Sequence, residues 1–190
     1  MNLLPYCQKI DTECSDSPNS ILKLRAIKLD GKKSLKESLG LADVKSCDYL
    51  RVRRRKATVI ECSNLPRQHQ NELKQYNKLT ACATDKSDRA LRKAIEKLHP
   101  EKTIREELRY KCIHSLLLLH RLADRIGFKL DEKFQNGIEY VVAICAESSA
   151  DVMAFQNLEG KLFANLKGIV QKVKVVPASE LERILATTRP

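Results

Sequence analysis

The 190-residue chain is predicted to fold as one mixed α/β domain. Two β-rich runs at residues 48–63 precede a helical pattern, and a strand, a helix and another strand are indicated after it. Two strands joined by a helical crossover favour a parallel pair covered by helices. Because the length suits one hydrophobic core, we expect residues 1–190 to form a single domain.

The first predicted elements are an arm, a strand and a short helix. Residues 1–20 have no clear period and are expected to form an irregular N-terminal arm. The run ILKLRAIKLDG alternates apolar and basic side chains before an Asp-Gly pair, which is typical of a strand and a turn. Ser34 and Glu37 have capping-box spacing, and Gly40 can end the helix that they begin.

Residues 48–63 are predicted to form a β-hairpin with basic residues at its tip. If Arg54 and Arg55 form the tip, Asp48 lies opposite Glu61, and two carboxylates end one otherwise apolar face. The same register pairs Leu50 with Val59 and Val52 with Ala57. Arg-Arg is not a favoured two-residue turn, so a longer loop would shift this register.

Residues 66–127 carry helical periodicity and are predicted to form a helical segment inserted between strands. Helices are expected from Pro66, after Ser87 and from Pro100. The third helix has the longest apolar stripe, which indicates that one face packs into the core. This stripe consists of Ile104, Leu108, Cys112, Leu116, Leu119, Ala123 and Ile126.

The last third of the chain is predicted to form two strands and two helices. The run IEYVVAICAES suits a central strand buried on both faces. Ser149 can cap a helix that ends near Gly168, and IVQKVKVV is typical of a further strand that Pro177 interrupts. Ser179 then begins a short final helix.

The net charge of +11 lies in residues 1–137, because residues 138–190 hold six acidic and six basic side chains. Residues 51–102 carry fourteen Lys or Arg against six Asp or Glu, a field that attracts phosphate backbones. DNA or RNA is therefore the expected partner, and a solvated basic face or an acidic protein partner is the alternative. The expected nucleic-acid contacts are Arg51, Arg53, Arg54, Arg55, Lys56, Arg89, Arg92 and Lys93.

Cysteine usage and hydropathy favour a cytoplasmic protein with no membrane partner. The seven cysteines include no CxxC pair, which predicts reduced thiols rather than a disulfide framework or a zinc site. No secretion-signal pattern or spanning apolar run is indicated. No Walker A sequence, dinucleotide-binding fingerprint or nucleophile elbow supports the corresponding enzyme classes.

The element order and two acidic positions carry a family resemblance, mainly over residues 34–80. A short helix, a hairpin with Asp48 and Glu61 on its two strands, then helix, strand, helix and strand resembles the PD-(D/E)XK nuclease-like superfamily. The resemblance implies a restriction-endonuclease-like mixed central sheet flanked by helices, here with a helical insertion. It also implies a Mg²⁺-dependent, or Mn²⁺-dependent, phosphodiesterase that cuts DNA or RNA.

The resemblance also implies a set of catalytic residues. Family members hold Mg²⁺ with an Asp and with the Glu of a hydrophobic-E-x-K signature, which here correspond to Asp48 and Glu61. Ser63 stands where the family has its Lys, so either the chemistry is lost or another amine substitutes. Lys74 on the following helix, with Lys78 beside it, is the proposed replacement.

Other interpretations of these residues stay open. Asp48 and Glu61 could lie in solvent at strand ends, or pair with Arg51 or Arg53. Glu37 could add a metal ligand, although its capping-box spacing already accounts for it. The chain could also be a non-catalytic subunit or regulator that binds nucleic acid or an acidic protein by charge.

Overall fold

The computed structural model describes residues 3–12, 14, 20–41, 43–53, 56–83, 89–126, 137–145 and 155–187. These residues form a mixed α/β fold around one six-stranded sheet with the strand order β1-β2-β3-β4-β5-β6. The strands are β1 Cys7–Asp11, β2 Ile21–Lys28, β3 Tyr49–Arg53, β4 Lys56–Ser63, β5 Ile138–Ile144 and β6 Lys172–Pro177. The helices are α1 Leu35–Ser38, α2 Leu65–Cys82, α3 Arg89–Lys97, α4 Pro100–Ile126, α5 Gln156–Leu166 and α6 Leu181–Thr187.

The sheet changes from antiparallel to parallel pairing at β4. The pairs β1–β2, β2–β3 and β3–β4 are antiparallel, whereas the pairs β4–β5 and β5–β6 are parallel. The parallel pair expected around the last crossover is confirmed. Strand β5 is central among the parallel strands, and its residues from Glu139 to Ile144 are all buried. The prediction that this strand is buried on both faces is also confirmed.

The predicted hairpin register is confirmed. Arg53 pairs with Lys56 and Tyr49 pairs with Ile60, so one further step of the ladder sets Asp48 opposite Glu61. Residues 54 and 55, the expected tip, lie outside the described residues. Alternate residues of a strand point to opposite faces of the sheet, so the register decides which face receives the two carboxylates.

Each face of the sheet has its own hydrophobic core. The first core joins the face that includes Leu50 and Val59 to Leu108 of α4 and Leu162 of α5. The second core joins the opposite face to α6; it contains Tyr49, Ile60, Val141, Leu181 and Leu185. Asp48 and Glu61 alternate in step with Leu50 and Val59, so they belong to the face that α4 covers.

The predicted helical segment is confirmed as α2, α3 and α4. In α4, Ile104, Leu108, Cys112, Leu116 and Leu119 are buried as expected, and the side chains of residues 123 and 126 are outside the described set. Helices α2 and α3 bury only Leu65 and Ile95, respectively. The predicted caps at positions 87 and 149 lie outside the described residues. No helix in the described part of the chain is both long enough and apolar enough to cross a bilayer.

The N-terminal region departs from the prediction of an irregular arm over residues 1–20. Strand β1 pairs antiparallel with β2 at the sheet edge, with Cys7 opposite Ile27 and an irregularity between Lys9 and Asp11. Only Ile10 of this strand is buried. A five-residue edge strand with one buried side chain has too little alternation of apolar and polar residues to be predicted from sequence. Its strand conformation depends on pairing with β2.

Two cysteines contradict the expectation that all thiols are reduced. Cys14 and Cys145 form a disulfide that links the segment after β1 to the end of β5. The other five cysteines are not disulfide-bonded: Cys7, Cys47, Cys62, Cys82 and Cys112. A pair separated by 131 residues leaves no local spacing pattern, so the sequence could not indicate it.

Candidate functional site

Glu61 is the centre of a buried polar cluster between the hairpin and α4. The residue is only 1% exposed, and its Oε1 lies 2.6 Å from Nζ of Lys111. Its other oxygen, Oε2, is buried and has no hydrogen-bond partner among the described residues. Burying a carboxylate oxygen without a partner lowers the stability of the fold, unless another positive group contacts that oxygen.

Asp48 is held beside Glu61 by backbone contacts on two sides. The N–H of Cys62 donates to Oδ2 of Asp48 over 2.7 Å. The Asp48 carbonyl oxygen accepts from the N–H of Leu29, also over 2.7 Å. The residue that follows β2 and strand β4 therefore both determine where Asp48 lies, and the register of the hairpin directs its carboxylate toward the same face as Glu61.

The three charged groups shift each other's proton affinity. Burial and the Asp48 carboxylate raise the pKa of Glu61 to about 8, although the Lys111 ammonium acts in the opposite direction. Burial lowers the pKa of Lys111, but the carboxylates of Glu61, Asp48 and Glu107 outweigh it and leave this pKa above its usual value. Lys111 thus stays charged at neutral pH, while Glu61 can gain or lose a proton near neutrality.

A second layer of polar contacts extends the cluster to α2. Oε1 of Glu107 lies 3.7 Å from Nζ of Lys111, one helical turn away. Nε2 of Gln68 on α2 donates to the other Glu107 oxygen over 2.7 Å. Lys111 is therefore held between two carboxylates, Glu61 on the sheet and Glu107 on its own helix, and α2 restrains the outer one.

Ser115 connects the start of β3 to the helical turn that carries Lys111. The N–H of Cys47 donates to Oγ of Ser115 over 2.8 Å. The same hydroxyl donates to the Lys111 carbonyl oxygen over 2.8 Å. Because Ser115 is fully buried and Cys47 directly precedes Asp48, this pair of bonds sets the spacing between the carboxylates and the amine.

The amine in the cluster comes from α4 and not from the helix proposed by sequence. Lys74 and Lys78 are exposed residues of α2, and the ion pair with Glu61 is made by Lys111. In sequence, Lys111 forms an ordinary i,i+4 pair with Glu107 beside the apolar stripe, so no signal distinguished it from a solvated helix residue. Its role depends on how α4 is rotated against the sheet.

Arg51, considered as an ion-pair partner, and Glu37, considered as a further metal ligand, have other roles. Nη1 of Arg51 donates to the Leu185 carbonyl oxygen over 2.6 Å, on the face that α6 covers. Glu37 accepts from the Lys33 N–H, and the Ser34 hydroxyl accepts from the Glu37 N–H, so Glu37 stabilises the start of α1.

The expected nucleic-acid contacts fall into three groups. Arg51 and Lys56 are partly buried and bonded within the fold, Lys56 through a 2.6 Å ion pair with Glu139. Arg53 is exposed near the hairpin tip, and Arg54 and Arg55 are outside the described residues. The remaining residues, Arg89, Arg92 and Lys93, are exposed on α3.

Asp48 and Glu61 are the residues that could hold a divalent cation. No group of three or more His, Cys, Asp or Glu side chains in the described ranges is arranged as a metal site. Mg²⁺, however, is commonly held by one or two carboxylates with water and substrate oxygens as its other ligands. The unsatisfied Oε2 of Glu61 near a second carboxylate fits that requirement, since a cation would favour the charged form of Glu61, which burial and the Asp48 carboxylate disfavour.

Comparison with known proteins gives no family assignment. No protein-family model matches the chain, no curated protein matches its sequence, and no solved structure matches it.

Proposed function

We propose that the chain is a metal-dependent nuclease in which Asp48 and Glu61 bind Mg²⁺ or Mn²⁺ and Lys111 provides the catalytic amine. The observation that supports this most strongly is the 2.6 Å contact between Lys111 and Glu61. This contact places an ammonium group beside Glu61, although Ser63 stands where the family signature has its Lys. The PD-(D/E)XK-like fold is part of this proposal.

The chemistry of the cluster suits attack on a phosphodiester. A divalent cation bound there would lower the pKa of a water molecule and neutralise charge on the phosphate. Lys111 is 23% exposed while Glu61 is buried, so Lys111 is the member of this pair whose side chain reaches solvent. Its positive charge would stabilise the negative charge that develops on the phosphoryl oxygens.

The exposed basic residues support binding of the substrate backbone. Arg53 lies near the hairpin tip, and Arg89 and Lys93 lie on α3. Exposed cations of this kind contribute sequence-independent, salt-sensitive attraction to DNA or RNA.

The test is a cleavage assay with purified protein on labelled single- and double-stranded DNA and RNA. Mg²⁺, Mn²⁺ and EDTA are compared for the wild type, Glu61→Gln and Lys111→Met. We expect metal-dependent cutting that each variant lowers about 100-fold or more, as for loss of one transition-state contact. Lys74→Ala is the matched control, and we expect it to cut at the wild-type rate. Cutting that persists in Glu61→Gln, or in EDTA, would refute the proposal.

A second candidate is a non-catalytic protein that binds nucleic acid by charge. The Glu61–Lys111 ion pair favours it, because Lys111 already compensates the buried carboxylate without a metal ion. This candidate predicts salt-sensitive binding that is indifferent to metal and to Glu61→Gln, with no cleavage of any substrate.

A further inference from the structure

A large cavity lies along α4, against residues that precede and follow Lys111 in the chain. Its volume is about 750 Å³, within the usual range for small-molecule sites. It lies between α4 and the chain that leads into β3. The residues that matter for its chemistry are Val44, Lys45, Tyr110, His114, Leu117 and Leu118.

The cavity wall combines apolar, aromatic and hydrogen-bonding groups. The rings of Tyr110 and His114 lie 6.0 Å apart with a tilt of 38°. Tyr110 is 46% exposed and Leu117 is 56% exposed, so flat apolar surface is open to a ligand. A flat aromatic ligand would cover this exposed surface.

Two chain segments connect the cavity wall to the proposed catalytic cluster. Tyr110 directly precedes Lys111, and His114 follows it by three residues, about 5 Å along the helix axis. The wall residue Val44 is four positions before Asp48, and its carbonyl oxygen accepts from Nζ of Lys36 over 2.9 Å. A nucleotide whose phosphate contacts Lys111 would therefore have its base within reach of the cavity.

We infer that this cavity binds an unstacked nucleobase of the nucleotide adjoining the phosphate at Lys111, an inference that rests on the proposed function. The base would stack on the exposed ring of Tyr110. Base stacking on an aromatic side chain tolerates any sequence. A paired base cannot enter such a cavity without leaving its duplex, so single strands, loops or ends are the expected substrates.

The test measures base-dependent binding without any cleavage. The chain contains no Trp, so Tyr110→Trp in a Glu61→Gln background introduces a single Trp, at the cavity, that can be excited selectively. We titrate it in EDTA with a short single-stranded oligonucleotide, a fully abasic strand of equal length, and nucleoside monophosphates. The base-containing strand should quench the Trp, and the abasic strand should not. Quenching by monophosphates alone would indicate a site for free nucleotides and overturn the assignment to a polymer.

A second comparison separates the base from the phosphates. Tyr110→Ala should weaken binding of the normal strand about five- to 150-fold, the range for loss of one base stack, and should leave the abasic strand unaffected. Tyr76→Ala, on α2, is the control. Equal affinity of Tyr110→Ala and wild type for the normal strand would refute the inference. Because no cleavage is measured, failure of the nuclease proposal leaves this result interpretable.

Discussion

The two ends of the β3–β4 hairpin hold their charges in different ways. At the α4 end, Glu61 is almost fully buried and bonded to Lys111, with Asp48 tied to the backbone. At the tip, Arg53 is exposed. Buried charges have defined positions and strong mutual effects, whereas exposed charges attract a polyanion without positioning it. One hairpin thus separates the proposed chemistry from the proposed binding.

The largest effect is expected from Lys111→Met. This change leaves the buried Glu61 carboxylate without its cation, so it should reduce the free energy of unfolding by about 3 to 5 kcal/mol, in addition to lowering cleavage. Urea unfolding at pH 8 measures the first effect. The double variant Glu61→Gln with Lys111→Met should recover most of the lost stability, because no uncompensated charge remains. A double variant no more stable than Lys111→Met would mean that packing, and not charge, is what Lys111 contributes.

The next effect concerns the pH dependence of stability. The pKa of Glu61 in the folded state is about 8, above its ordinary value of about 4.3 in an unfolded chain. The folded state therefore binds more protons between these values, and its stability falls as pH rises from about 5 to about 8. This group contributes at most about 1.4 kcal/mol per pH unit. Glu61→Gln should flatten the slope in metal-free urea unfolding, whereas Glu106→Gln, in a surface ion pair with Arg109, should not. If the stability of Glu61→Gln fell with pH as steeply as that of the wild type, the result would contradict the buried position of the Glu61 carboxylate.

A smaller effect is expected from Ser115→Ala. The variant leaves the buried N–H of Cys47 without a partner, which should lower stability by about 1 to 3 kcal/mol. Ser38→Ala is the matched control, since that hydroxyl also donates to a helix carbonyl, that of Leu35. The control should lose less, because it leaves no N–H unsatisfied. Thermal unfolding of both variants is the measurement, and equal losses would show that Ser115 does not link the hairpin to α4.

The smallest effect is expected at the hairpin tip. Arg53→Ala should weaken nucleic-acid binding only a few-fold and reduce the salt slope of the affinity by about 1. Stability should not change, because Arg53 is exposed. Electrophoretic mobility shifts over a range of salt concentrations measure the slope, with Arg183→Ala on α6 as the surface control. If both variants bind like the wild type, the basic residues at the tip do not contact the backbone.

Local patterns explain what the sequence could predict. The hairpin register followed from placing the tip at Arg54 and Arg55, and this register set Asp48 opposite Glu61. The stripe of α4 predicted its buried face because helical period alone defines that face.

The third member of the cluster depended on tertiary packing. Lys111 reaches Glu61 across 50 positions, and only the rotation of α4 on the sheet brings the two together. Lys74 was closer in sequence, but α2 buries only Leu65 and directs Lys74 into solvent. The short edge strand β1 and the Cys14–Cys145 pairing were missed for the same reason, since both are defined by distant partners.

The disulfide has a consequence for limited proteolysis. Cys14 and Cys145 enclose β2, the hairpin, and helices α1 to α4, which include Asp48, Glu61 and Lys111. One backbone cut anywhere within this loop leaves both fragments covalently joined. A chain nicked between α2 and α3 would therefore migrate as one species without reductant and as two with it, and the proposed catalytic residues on both sides of the cut would stay in one molecule.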